Sequence, residues 1–140
     1  MDSNLSRFLQ AQEKDYKVAL SEIKSGKKIS HWMWYIFPQI QGLGFSDTSK
    51  YYALKNIQEA INYLNHPTLG IRLKEITNEL LKLEQTDANS IFGNPDDLKL
   101  KSCMTLFDQI DDSDTNLFKN VLIKFFNGSF DNKTLRLLKQ

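Results

Sequence analysis

The sequence has very little cysteine and no long apolar run. Cys103 is the single cysteine among 140 residues, so no intramolecular disulfide can form and a disulfide-stapled secreted scaffold is excluded. No apolar segment approaches the roughly 18 residues that a membrane-spanning helix needs. The polar N-terminal segment also lacks the basic-then-apolar order of a secretory signal. We therefore expect a cytoplasmic protein with no part in the membrane.

The sequence also lacks an excess of charge of either sign. Lysine and arginine number 18, aspartate and glutamate number 17, and the formal net charge is +1. Neither half of the chain is strongly basic, so no positive field is available to face a phosphate backbone. Binding to nucleic acid duplexes is therefore not expected.

Three familiar ligand motifs are incomplete. Gly42-Leu43-Gly44 has no third glycine and follows no predicted strand, so it does not match the dinucleotide fingerprint. His31 and His66 are far apart, with no Cys/His cluster around either, which argues against a zinc site. Asp111-Asp112-Ser113-Asp114 begins like a calcium loop but lacks its central Gly and final Glu. We expect no metal and no cofactor.

What is present is a helical pattern over nearly the whole chain. The composition is 41% hydrophobic and 25% charged, which is typical of a soluble globular protein. Apolar residues recur with a period of 3.6, and no stretch alternates as a strand does. The length fits one domain. We predict a single-domain all-α bundle of five to seven helices with short connections.

Turn and capping residues place the helix boundaries. Gly26 would end a first helix, and Ser46 would cap a long helix that carries Leu54 to Leu64. Pro67 suits the first position of the next helix. The later helices are predicted to start at four positions, each a capping residue or a chain break: Asp87, Asn94-Pro95, Asp114 and Asp131.

The segment from residue 27 to residue 46 combines unusual side chains with a glycine loop. His31 would serve as a general acid or base, the role in which histidine is most often used. Trp34 offers a face for a planar ring, and the loop containing Gly44 offers backbone N–H groups to an anion. Structural roles stay open here. Trp32 and Trp34 cannot share one helical face, so at least one of them is predicted to lie in the core. The alternative for His31 is a structural hydrogen bond.

A second polar segment runs from Ile91 to Phe107. Asp96 and Asp97 fall in a predicted first helical turn, where the helix dipole alone stabilises carboxylates. Lys99 and Ser102 share a helical face, so the lysine would hold an anion or activate the hydroxyl. Their order is not the Ser-x-x-Lys of serine acyl-enzymes. Elsewhere, His66 would be a junction residue or cap, Arg72 an anion ligand or a surface charge, and Cys103 a buried hydrophobe.

Several segments of the sequence resemble the DUF1810 family of uncharacterised bacterial proteins. The resemblance rests on Ser30-His-Trp-Met-Trp-Tyr-Ile-Phe-Pro-Gln39, on Gly42-Leu-Gly44-x-Ser46, on His66-Pro67-x-Leu69-Gly70-x-Arg72-Leu73, and on Ile91-Phe92-Gly93-x-Pro95-Asp96-Asp97-x-Lys99 with its continuation to Phe107. The sequence departs from it at Cys103 and Leu54. The resemblance implies one mainly α-helical domain over residues 1–140 and no established reaction.

The polar members of the shared strings are the candidate functional residues. A core does not explain why such residues belong to a family signature, and we predict that they line a pocket for a small anionic or nucleotide-like ligand. The predicted ligand-binding residues are Lys28, Trp34, Gln39, Gly44, Ser46, Arg72, Lys99 and Ser102. Two alternatives stay open. One is a hydrolase acting on such a ligand, with His31 as acid or base and Asp97 orienting it or a water; the other is a non-catalytic interaction module or homodimer.

Overall fold

The computed structural model describes residues 5–139, which form nine α-helices and no strand. The helices are α1 (Ser6–Lys24), α2 (Met33–Ile36), α3 (Asp47–Tyr52), α4 (Ile57–Asn65), α5 (Leu69–Lys82), α6 (Ala88–Phe92), α7 (Asp96–Ile110), α8 (Leu117–Phe126) and α9 (Asn132–Leu138). The prediction of an all-α single domain is confirmed. The number of helices within the described range exceeds the predicted five to seven, because several are only one or two turns long.

The prediction of one long helix starting at Ser46 is wrong, because this segment forms two separate helices, α3 and α4. Between them the backbone is extended, and Leu54 forms an isolated parallel bridge with Ile40. The Leu54 N–H donates to the Gln39 carbonyl at 2.9 Å, and the Gln41 N–H donates to the Leu54 carbonyl at 2.8 Å. Leu54 is fully buried, and its spacing of three residues to Ile57 matches the apolar spacing of a helix although the backbone here is extended. That match explains the wrong prediction.

Most of the predicted caps are present. Each of three side chains accepts a hydrogen bond from a backbone N–H of the first turn that follows it: Ser46, Asp87 and Asp131. Asp114 was expected to cap α8, but the cap is Asn116, whose side chain accepts from the Lys119 N–H. The Asn116 amide also donates to the buried Asp108 carboxylate at 2.7 Å. That second bond holds Asn116 at the helix start and explains the difference.

The junction between α4 and α5 is closed by His66. Its Nδ1 accepts hydrogen bonds from the N–H groups of Thr68 and Leu69, at 3.0 and 3.2 Å. The prediction that His66 is a junction residue or cap is confirmed, whereas α5 begins at Leu69 and not at Pro67. The turn brings α5 so close to α4 that a Cβ at Gly70 would lie 1.9 Å from the Leu64 carbonyl oxygen.

The core is built around α7, which packs against α4, α6, α8 and α9, while α1 packs against α2 and α5. Trp32 is fully buried and contacts the rings of Phe37 and Phe92, whereas Trp34 is only partly buried. One tryptophan therefore belongs to the core, as predicted. Cys103 is also fully buried, and burial raises the pKa of its thiol well above the usual range. None of the helices within residues 5–139 is both long and apolar enough to cross a membrane.

Candidate functional site

Glu22 on α1 organises the turn that leads into α2. Its carboxylate accepts hydrogen bonds from the N–H groups of Ile29 and Ser30 at 2.8 and 2.9 Å, from the Ser30 hydroxyl at 2.6 Å, and from Trp32 Nε1 at 2.9 Å. Burial acts to raise the pKa of Glu22, but these bonds to the ionised form outweigh it and lower the pKa to about 2. The turn is therefore fixed by a carboxylate that stays charged.

Lys28 in this turn meets the start of α7. Its ammonium lies 2.9 Å from one Asp96 carboxylate oxygen, and the Lys99 ammonium lies 3.0 Å from the other. The Lys28 side chain is 7% exposed, Asp96 19% and Lys99 21%, so the charges are partly withdrawn from water. Burial acts to raise the pKa of Asp96, but the two ammonium groups lower it. Two positive charges sharing one carboxylate leave a local charge of +1.

Trp34 and the glycine loop border this cluster. The Lys99 ammonium lies 4.1 Å from the centre of the Trp34 ring, within the range of a cation–π contact. A Cβ at Gly44 would lie 3.6 Å from Trp34 Cη2 and 2.5 Å from Ser49 Oγ. Glycine at position 44 thus allows the loop to pass between the indole and α3. Four of the residues predicted to share one site therefore lie together: Trp34, Gly44, Lys28 and Lys99.

Ser102 lies one turn beyond Lys99 on α7 and faces α9. Its hydroxyl is 3.2 Å from Asp131 Oδ2, and the Asp131 N–H donates to Thr105 Oγ1 at 2.9 Å. The Asp131 carboxylate also accepts from the backbone and the hydroxyl of Thr134. Ser102 therefore ties the start of α9 to α7, and its hydroxyl is held by hydrogen bonds.

Three other predicted ligand residues have contacts of their own. Arg72 lies over the Tyr16 ring at 5.1 Å and donates to Gln12 Oε1 at 3.4 Å, between α1 and α5. Ser46 caps α3. Gln39 is 7% exposed, and its buried Nε2 has no hydrogen-bond partner in the described part of the chain. None of these three residues makes a hydrogen bond or ion pair with Lys28, Asp96 or Lys99.

The predicted catalytic pair is not joined. Within residues 5–139 the exposed His31 side chain makes no hydrogen bond or ion pair, and its carbonyl accepts from the Tyr35 hydroxyl at 3.4 Å. Asp97 accepts instead from the Asn89 side chain, at 3.3 Å. The hydrogen bond by which Asp97 would orient the imidazole is absent from this structure.

The carboxylate shared by the two lysines, that of Asp96, is not among the predicted site residues. Asp96 was assigned to dipole stabilisation in a first helical turn, and Asp97 was chosen as the functional residue. The spacing of Asp96 and Lys99 by three positions was the signal available, because it places the two side chains on one helical face. Lys28 comes from 68 positions earlier, and no local pattern connects it to Asp96.

A cavity of about 580 Å³ has none of the predicted site residues in its lining. Its walls come from the loop before Gly44, the start of α4 and the end of α9: Ile40, Gln41, Gly42, Lys55, Asn56, Ile57, Gln58, Leu137 and Leu138. The Lys28–Asp96–Lys99 cluster is therefore not part of the lining of this cavity. No group of three or more His, Cys, Asp or Glu side chains suited to a metal occurs in residues 5–139.

These features define a small all-α protein with a cationic, tryptophan-bordered surface at the start of a central helix. The chain belongs to the DUF1810 family, described as proteins of unknown function, whose sequence profile matches residues 2–138. It is similar to the conserved hypothetical protein Rv1873 from Mycobacterium tuberculosis, whose crystal structure was determined at 1.38 Å. The two are 40% identical, with 98% of this chain and 97% of that chain covered and a TM-score of 0.94. No curated protein matches the chain.

Proposed function

We propose that this protein binds a small anionic ligand that carries a planar ring, such as a nucleotide, on the surface formed by Trp34 and Lys99. The observation that carries the proposal is that the Lys99 ammonium lies against the Trp34 ring and also shares Asp96 with Lys28. The cation covers one face of the indole, so a ligand ring would stack on the opposite face while its anionic group binds the lysine. That combination suits a ligand with a ring next to a phosphate or carboxylate.

The charge arrangement explains why this surface attracts an anion. Asp96 neutralises one of the two ammonium groups, and the excess positive charge remains where the side chains are partly withdrawn from water. Coulomb attraction is stronger there than in bulk solvent. Of the two lysines, Lys99 is the more exposed and an ammonium has three donors, so donors beyond the one given to Asp96 are available to a ligand.

The first prediction is that Lys99→Ala weakens ligand binding at least tenfold. One charge-assisted hydrogen bond contributes about 1.5–3 kcal/mol, which corresponds to roughly a tenfold to hundredfold change in Kd. Thermal shift against nucleotides and sugar phosphates identifies the ligand, and isothermal titration measures its Kd for the wild type and the variant. Lys28 still pairs with Asp96 in the variant, so the fold is retained.

Lys101→Ala is the matched control for this prediction. Lys101 lies on the same helix, but its ammonium is over the Phe126 ring, away from Trp34. The control removes the same charge and is expected to bind as the wild type does. A ligand that binds Lys99→Ala and the wild type equally would show that the surface is not its site. Quenching of tryptophan fluorescence that persists in Trp34→Phe would contradict stacking on Trp34.

The other two hypotheses of the sequence analysis stay predictions. A hydrolase would need His31 to act without the Asp97 hydrogen bond expected for it. An interaction module would use exposed aromatic surface, and Phe45 is 83% exposed. We place the ligand-binding function first because the lysine–indole contact and the shared carboxylate are both present in the folded chain.

A further inference from the structure

Phe45 and Lys133 repeat the arrangement of Trp34 and Lys99 at an adjacent position. The Lys133 ammonium, on the first turn of α9, lies 5.9 Å from the centre of the Phe45 ring. Phe45 is 83% exposed and directly follows Gly44, where an added Cβ would lie 3.6 Å from Trp34 Cη2. The Phe45 ring is therefore open to a ligand. Two lysine–aromatic pairs are therefore neighbours on one surface.

A closed ring of contacts connects the two pairs. Lys99 touches Trp34, and one helical turn later Ser102 bonds to Asp131 at 3.2 Å. Two residues after Asp131, Lys133 lies over Phe45, and the neighbouring Gly44 leads back to Trp34. The Ser102–Asp131 hydrogen bond joins α7 to the start of α9, so the two lysine–aromatic pairs lie on neighbouring parts of the molecule.

Lys99 and Lys133 offer two separate cations to an anionic ligand. The Lys28 and Lys99 ammonium groups share the Asp96 carboxylate, whereas Lys133 lies over the Phe45 ring. The Asp131 carboxylate is already occupied by Ser102 and Thr134. Within residues 5–139, Lys133 makes no hydrogen bond or ion pair, so its donors are available. A single phosphate on Lys99 would leave Lys133 without an anion.

We infer that the ligand of the proposed site carries a planar ring and at least two linked phosphates, with one phosphate on Lys99, a second on Lys133, and Phe45 as an additional ring contact. This inference rests on the proposed function. It names the ligand class as nucleoside diphosphates and larger nucleotides, in preference to nucleoside monophosphates and simple sugar phosphates.

The test compares ribonucleoside monophosphates with the matching diphosphates by isothermal titration. For the wild type, the diphosphate is expected to bind at least tenfold more tightly than the monophosphate. Lys133→Ala is expected to reduce this preference to less than about threefold and to leave monophosphate affinity nearly unchanged, because it removes only the second cation. Lys99→Ala is expected to weaken both. Phe45→Leu, which keeps an apolar side chain without the ring, is expected to weaken both about fivefold or more.

Each variant also has an outcome that contradicts the inference. Lys119→Ala, at an exposed lysine on α8, is the control for lost charge and is expected to bind as the wild type does. The second phosphate position is overturned if the wild type shows no preference for diphosphates, or if the preference survives in Lys133→Ala. In either case, binding that depends on Lys99 would still support the proposed function. If no nucleotide binds, or binding is indifferent to Lys99, both proposals fail. If Phe45→Leu abolishes self-association in sedimentation and leaves nucleotide affinity unchanged, Phe45 belongs to an interface between copies.

Discussion

Gly70→Ala is expected to lower the free energy of unfolding by about 3–5 kcal/mol, at the upper end of what adding one methyl group does. Gly70 lies in the first turn of α5, and its N–H donates to the His66 carbonyl at 3.0 Å. The added Cβ would lie 1.9 Å from the Leu64 carbonyl oxygen and 2.8 Å from its carbon. Both are backbone atoms of α4, so no side chain can rotate to relieve the overlap. The two helices would have to move apart.

The sign of this effect is opposite to that of intrinsic helix propensity. In an ordinary helix, alanine is more favourable than glycine by about 1 kcal/mol. Gly26→Ala is the control, because Gly26 has a positive φ of 81° and the nearest atom to its added Cβ is a leucine methyl at 3.9 Å. That variant should lose only about 1–2 kcal/mol, the cost of a left-handed alanine. Urea denaturation of both measures the difference. A Gly70→Ala protein as stable as the wild type would show that α4 and α5 are not in this close contact.

Gly70 also illustrates how far the sequence predicts the fold. The apolar faces of α1, α5, α7 and α8 follow from a 3.6-residue period, because a helix buries one stripe and exposes the rest. The close approach of α4 and α5 does not follow from any local pattern. The same is true of Leu54, where buried extended backbone continues the helical spacing.

The candidate site was predictable to a similar extent. Trp34 and Lys99 stood out as polar or amphipathic residues that a core does not require, and the fold places them in contact. Arg72 stood out for the same reason, but its guanidinium packs on Tyr16, and only the arrangement of α1 against α5 reveals this. Sequence signals therefore identified residues with unusual roles, whereas the partners of those residues depend on tertiary structure.

Glu22→Gln is expected to lower the free energy of unfolding at pH 7 by about 2 kcal/mol, because it removes the charge that four hydrogen-bond donors stabilise. A shift of the Glu22 pKa from 4.5 to about 2 would by itself correspond to a larger loss of unfolding free energy. Solvent screening of this partly exposed side chain reduces that loss. The fold depends on this bond set because it holds the turn that carries Lys28 and Trp32. Loss of the charge therefore also loosens the Lys28–Asp96 ion pair.

The difference between wild type and Glu22→Gln should depend on pH in a defined direction. A carboxylate whose pKa is lower in the folded protein stabilises it fully above the unfolded pKa of 4.5, and the stabilisation is lost as pH falls toward the folded value of about 2. The stability gap between the two proteins should be constant from pH 7 to pH 5.5 and fall to about half or less by pH 3. Other carboxylates titrate in both proteins and cancel in the comparison. Urea denaturation at several pH values measures the gap, and Glu13→Gln, at an exposed position of α1, should show none. A gap that stays constant down to pH 3 would mean that the charge of Glu22 does not hold this turn, and that the neutral hydrogen bonds suffice.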